Sequence, residues 1–129
     1  MVVTQTTHNV KITVKTNYQE EYSSAVDRHY LFSYTVTVEN NSEYTLQLLR
    51  RHWYIFDSSY EHREVEGKGV IGVQPVLNRG ETYSYESACN LTTDMGKMHG
   101  TFLMERKVDG HQFNVDIPSF LLMTPATMN

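Results

Sequence analysis

Hydrophobic and polar residues alternate with a period of two along most of the chain. The clearest stretch is His29 to Glu39. Tyr30, Phe32, Tyr34, Val36 and Val38 fall on one side of it, and Leu31, Ser33, Thr35, Thr37 and Glu39 on the other. Successive side chains of a strand point to opposite faces, so this predicts a strand rich in aromatic and β-branched residues. Val10, Ile12 and Val14 alternate with Lys11, Thr13 and Lys15 in the same way. Leu46 to Phe56 reads as a strand with bulky groups on both faces. Leu49, Arg51, Trp53 and Ile55 share one; Leu48, Arg50, His52, Tyr54 and Phe56 share the other. A short strand follows at Arg63–Glu66, and longer ones at Thr82–Cys89 and Lys97–Arg106, the last with Met98, Gly100, Phe102 and Met104 on one face. Phe113, Val115 and Ile117 continue the pattern until Pro118, which lacks a ladder donor and interrupts it. Phe120–Met123 reads as a final apolar edge.

Turn residues separate these runs at Asn40–Glu43, Asp57–Tyr60 and Asn78–Glu81, and Asp109-Gly110 is a hairpin signal. Asn17 to Asp27 is polar and reads as a loop or an irregular edge strand. No window has sustained helical spacing. Short strands with frequent turns predict an all-β fold: an antiparallel immunoglobulin or fibronectin type III-like β-sandwich of seven to eight strands. The 129 residues make one domain, 1–129, with its first few residues and 124–129 loose.

Composition adds limits. The formal charge of −4 argues against nucleic acid or an anionic membrane as the main partner, since both attract basic patches. Cys89 is the single cysteine, so no intrachain disulfide forms, which fits a reducing compartment. Met1–Thr7 lacks the basic and apolar regions of a signal peptide, and no apolar run approaches the roughly 20 residues of a membrane span. The expectation is a soluble, cytoplasmic protein. Without export, the acceptor patterns at Asn40 and Asn90 are silent.

The segment Glu66–Pro75 carries the most pointed motif. Gly67, Gly69 and Gly72 have the spacing G-x-G-x-x-G, with Lys68 between the first two. A dinucleotide fingerprint needs a strand before it and a helix after it, and Pro75 stands where that helix would be established. Two readings remain. The glycines shape a bulge or tight turn, or their N–H groups and Lys68 form an anion nest. His52, His62 and His99 are the histidines that can converge on a metal, with Glu64, Glu66 or Asp94 as oxygen ligands, but no local H-x-H or C-x-x-C pair supports them. Arg50 and Arg51 must point to opposite faces of their strand, and Trp53 reads as the core anchor. Cys89 sits beside Ala88 in a strand and reads as buried and inert. No catalytic constellation is present, and the residues require no cofactor. Of nine tyrosines, Tyr18, Tyr22, Tyr44 and Tyr60 lie near loops, where they favour recognition of a protein surface.

From about Tyr30 to Met123 the chain resembles the ApaG family. The resemblance is carried by Tyr34-Thr-Val-Thr-Val38, Arg51-His-Trp-Tyr-Ile55, Glu66-Gly-Lys-Gly-Val-Ile-Gly-Val-Gln-Pro-Val76, Gly80-Glu-Thr-Tyr-Ser-Tyr-Glu-Ser87, Gly96-Lys-Met-His-Gly100 and Phe113-Asn-Val-Asp-Ile-Pro-Ser-Phe120. It implies a fibronectin type III-like sandwich. It implies a protein-binding role as well, because related domains occur in an F-box substrate-recognition protein and a polymerase-interacting protein. The bacterial family is linked to cobalt and magnesium tolerance and to diadenosine tetraphosphate metabolism, without an assigned activity. The expectation is therefore a non-catalytic protein-interaction module, with self-association through an edge strand as one form of it. The alternative is a binder of pyrophosphate, a nucleotide or a divalent cation.

Overall fold

The regular alternation after His29 becomes strand β3 (Tyr30–Asn40), whose inward residues Phe32, Tyr34, Val36 and Val38 are buried. The computed structural model describes residues 1–58 and 60–128. The other strands are β1 (Val2–Thr7), β2 (Val10–Tyr18), β4 (Leu46–Asp57), β5 (His62–Lys68), β6 (Val76–Leu77), β7 (Thr82–Leu91), β8 (Met95–Arg106) and β9 (Gln112–Met123). A 3-10 turn at Glu20–Tyr22 and a one-turn helix, α1 (Pro125–Met128), complete the described elements. One sheet has the order β1-β2-β3-β7; the other runs β5-β4-β8-β9, with β6 added to β4. All pairings are antiparallel. The all-β sandwich is thus present with nine strands among the described residues, two of them unforeseen: β1 at the expected loose N-terminus, and the two-residue β6.

The inner faces meet over Val10, Ile12 and Val14 of β2, Trp53 and Ile55 of β4, and Phe102, Val115 and Phe120 of β8 and β9. Trp53 is edge-on to Tyr34, Phe102 and Phe120, the geometry that aromatic quadrupoles favour.

Two bulges correct the expected faces. In β4, Leu48 pairs with Met104 and Arg50 with Leu103, so Leu49 is an extra residue. The added residue flips the phase: Leu46 and Leu48 point inward with Trp53 and Ile55, although a strict period of two places them opposite. In the second, Met98 pairs with Phe120 and Gly100 with Ile117. The extra residue lies in β9 at Pro118–Ser119, so Pro118 sits in a bulge and does not end the strand. Phe120–Met123 is consequently the second half of β9, not a separate edge.

At Asn17–Asp27, β2 extends to Tyr18 before the 3-10 turn. Thr124 is buried and its N–H donates to the Asp94 carbonyl at 3.1 Å, so the expected loose tail is tied at its start. The turn expected at Asp57–Tyr60 includes Ser59, and the tail ends at Asn129; both positions lie outside the described residues. Asp57 is buried at the end of β4. Its carboxylate accepts the Thr92 N–H at 2.7 Å, the Thr92 hydroxyl at 2.8 Å and the Thr93 hydroxyl, joining β4 to the β7–β8 turn.

The two long sides of the sandwich differ. On one, β9 and β1 are bridged where the Asp116 N–H donates to the Thr7 hydroxyl at 3.2 Å. On the other, the free edges of β5 and β7 stand apart, spanned by Arg63, whose Nη2 donates to the Asn90 carbonyl at 2.6 Å.

Candidate functional site

The glycine motif forms the corner at the end of β5, on this open side. Val70 and Val73 exchange both backbone hydrogen bonds, at 2.8 and 3.0 Å, around a two-residue turn of Ile71 and Gly72. Both turn residues have positive φ, 48° and 74°, the signature of a type I′ hairpin turn. Gly69 also has positive φ, 64°, and a Cβ there would press into the Val73 carbonyl. The Gly69 N–H donates to the Leu49 carbonyl at 2.7 Å. The N–H groups of Gly69, Val70 and Val73 are therefore committed to backbone carbonyls, which leaves little of a nest. Gly67 has a different role. A Cβ on it would lie 2.7 Å from both terminal nitrogens of Arg51 and 2.8 Å from the carbon between them. Near-equal distances mean that the guanidinium lies face-on over Gly67. Its Nη1 donates to the Gly69 carbonyl at 2.9 Å and to the Lys68 carbonyl at 3.3 Å.

The structure does bring His52, His62 and His99 onto one face, the outer surface of β5-β4-β8. They form a ring stack with the outward aromatics of β4. His52 stacks on Tyr54 at 4.4 Å, Tyr54 on His99 at 5.0 Å, His99 on Phe56 at 5.7 Å and Phe56 on His62 at 5.9 Å. The opposing register places Glu66 across from His52, and their Nδ1 and Oε1 atoms are 3.0 Å apart. Among the described residues, no three His, Cys, Asp or Glu groups are disposed to hold a metal ion.

Arg50 and Arg51 point to opposite faces, as the strand geometry requires: Arg50 is exposed and Arg51 is half-buried on the Trp53 side. Trp53 is buried in the core and is not part of any outer surface. Arg51 and Trp53 line a cleft of about 240 Å³ between the edges of β5 and β7. Arg63 and Val65 on β5, with Tyr85, Ser87 and Cys89 on β7, complete most of its walls. Tyr85 is 9% exposed, and its hydroxyl has no hydrogen-bond partner among the described residues. Burial raises the Tyr85 hydroxyl pKa well above its ordinary value, against a weaker pull from Arg51, so it stays a donor. Tyr34 is raised for the same reason. Cys89 is buried; burial pushes its thiol up, and the nearby Arg63 charge opposes this. A raised thiol is a poor nucleophile.

Arg63, Tyr85 and Ser87 were not singled out as site residues by the sequence. Tyr85 looks like one more core aromatic, and nothing local says that β5 and β7 leave a gap. The available signal was an arginine, Arg51, on the apolar face of its strand.

The ApaG domain family model matches residues 20–106. Protein ApaG of Sinorhizobium fredii is 44% identical over 119 residues, covering 92% of this chain and 91% of that protein. Protein ApaG of Paramagnetospirillum magneticum is 45% identical over 121 residues, covering 94% and 92%. A Bordetella pertussis protein named ApaA in its crystal structure superposes with a TM-score of 0.88 at 39% identity, covering 92% of this chain and 95% of that one.

Proposed function

The chain belongs to the ApaG family, and from that premise we propose that it is a non-catalytic interaction module that docks a protein partner along the open side of its sandwich. The observation that supports this reading is the free edge of β5. Among the described residues this strand pairs only with β4, and six of its seven residues are exposed. An unpaired strand edge presents a row of backbone donors and acceptors to an incoming strand. Apolar groups flank it: Val65 is 38% exposed, Ile71 60% and Val73 43%. Tyr54 and Phe56 of the ring stack adjoin it on the outer face. Aromatic and apolar groups beside a free edge supply the contact area that backbone pairing lacks. A second copy of the chain can use the same edge. The reading places the protein in the cytoplasm and gives it no reaction of its own; any bearing on cation tolerance then runs through its partner.

An alanine scan of exposed residues from Val65 to Gln74 tests this. Wild type and variants are compared by cross-linking and pull-down from cell extract, with sedimentation to detect self-association. At least one variant is expected to lose a specific partner while remaining folded. An unchanged set of partners across the whole scan refutes the assignment of this edge.

A further inference from the structure

The cleft behind the β5 edge has a chemistry that docking does not explain. Among the described residues that line it are two arginines and no carboxylate, in a chain whose formal charge is −4. Neither guanidinium forms an ion pair with a described residue; the four pairs present involve other cations. Arg51 spends Nη1 on two carbonyls, and its Nε and Nη2 donate to nothing among the described residues. Its plane is fixed by the seat over Gly67. Tyr85 of β7 lines the same cleft, nine-tenths buried, and its hydroxyl has no partner among the described residues. Buried polar groups are nearly always satisfied, so an orphaned donor in a cleft that also holds a guanidinium without an ion-pair partner marks a place for an acceptor. Arg51 offers the planar fork that matches a carboxylate or phosphate.

We propose that this cleft is a binding site for a small oxyanion, a carboxylate or a phosphate group, held by the free edge of Arg51 and the Tyr85 hydroxyl. Arg63 stands farther along the strand and adds positive charge at the other end. Arg51 faces Gly67 and Arg63 faces Ile55, so the two start four residues apart along β5, roughly 13 Å at strand rise. The volume is several times the roughly 30 Å³ that a water occupies, enough for such a group. The site is separate from the glycine turn. Its donors are side chains; the glycine segment supplies the Gly67 seat and the Lys68 and Gly69 carbonyls that hold Arg51, and the turn adds only the Ile71 side chain to the wall. It adjoins the docking edge, since Val65 and Ile71 line the cleft too, but the two readings are told apart by Tyr85, which lies inside the cleft and outside the Val65–Gln74 scan.

The test is a heteronuclear NMR titration of the full chain with inorganic phosphate and, separately, with succinate, at ionic strength held constant with chloride. Saturable shifts are expected at Gly67, Tyr85, Ser87 and the Arg51 side chain. Saturation by phosphate alone assigns the site to phosphoryl groups, and by succinate alone to carboxylates. Tyr85→Phe separates binding from architecture. Removing a hydroxyl that bonds to no described residue should not lower the urea midpoint, whereas losing a charge-assisted hydrogen bond should weaken anion binding by about tenfold or more. Arg51→Lys, which keeps the charge and loses the fork, should weaken it as well. No saturable shift with either anion overturns the proposal. So does a Tyr85→Phe protein that binds as tightly as wild type, or shifts confined to Gly69–Gly72.

Discussion

Replacing the two positive-φ glycines of the motif one at a time separates two physical effects that share one loop. Gly72 has φ of 74° with nothing within 4 Å of an added Cβ, so alanine there suffers only the left-handed backbone penalty. That penalty is about 1–2 kcal/mol for an L residue. Gly69 has φ of 64° and the same penalty, and its Cβ would also be driven into the Val73 carbonyl, a backbone atom held by the Val70–Val73 hydrogen bonds. Steric insertion into a well-packed site adds about 1–3 kcal/mol. Gly69→Ala should therefore destabilise by about 2–5 kcal/mol and Gly72→Ala by about 1–2. Urea unfolding followed by tryptophan fluorescence measures both. At an m value of about 1.5 kcal/mol per molar, the midpoint should fall by about 0.7–1.3 M for Gly72→Ala and by about 1.3–3.3 M for Gly69→Ala, with m unchanged. Equal losses, or a Gly69→Ala midpoint within about 0.3 M of wild type, would refute the assignment of Gly69 to close backbone approach.

Asp57→Ala removes the acceptor of one backbone and two hydroxyl donors from Thr92 and Thr93. It should cost about 2–4 kcal/mol and speed amide exchange in the β7–β8 turn; a loss under about 0.5 kcal/mol would exclude a structural role for this carboxylate. Asp109 is held down to about 2, first by its hydrogen bonds from Arg106 and then by the His111 N–H. A lowered carboxyl pKa stabilises the fold above its ordinary value of 3.8, and that support disappears as pH falls toward 2. A carboxyl NMR titration should show the low midpoint in wild type and its return toward 3.8 in Arg106→Gln. An unshifted wild-type midpoint contradicts the pairing.

The sandwich was legible because the inward residues of β2, β3, β7 and β8 alternate without interruption, and alternation is a local property. What escaped the sequence was non-local or one residue wide. Val2–Thr7 has no alternating apolar face; β1 exists because its backbone pairs with β2 from Val2↔Lys15 to Thr7↔Val10. Leu49 looks like an ordinary strand leucine, and only its mismatch with Leu103 and Met104 reveals it as the extra residue that turns Leu46 and Leu48 inward. Pro118 was read by its missing donor, which the β9 bulge accommodates. At the site, Gly67, Lys68, Gly69 and Gly72 were visible as a motif, but their work was not. Gly67 faces Arg51 through a strand pairing that spans sixteen positions of sequence, and Tyr85 shares a cleft with Arg51 only because the chain crosses between sheets before β7.

The burial of Trp53 gives the molecule an internal optical probe. It is the single tryptophan of the chain, 2% exposed, and it forms part of the cleft wall between Arg51 and Ile55. Its emission comes from one indole in one buried setting, so unfolding shifts a single tryptophan band. A ligand entering the cleft alters the field at that indole without a label, a tag or a competing chromophore of the same kind. The fold therefore reports the occupancy of its own interior.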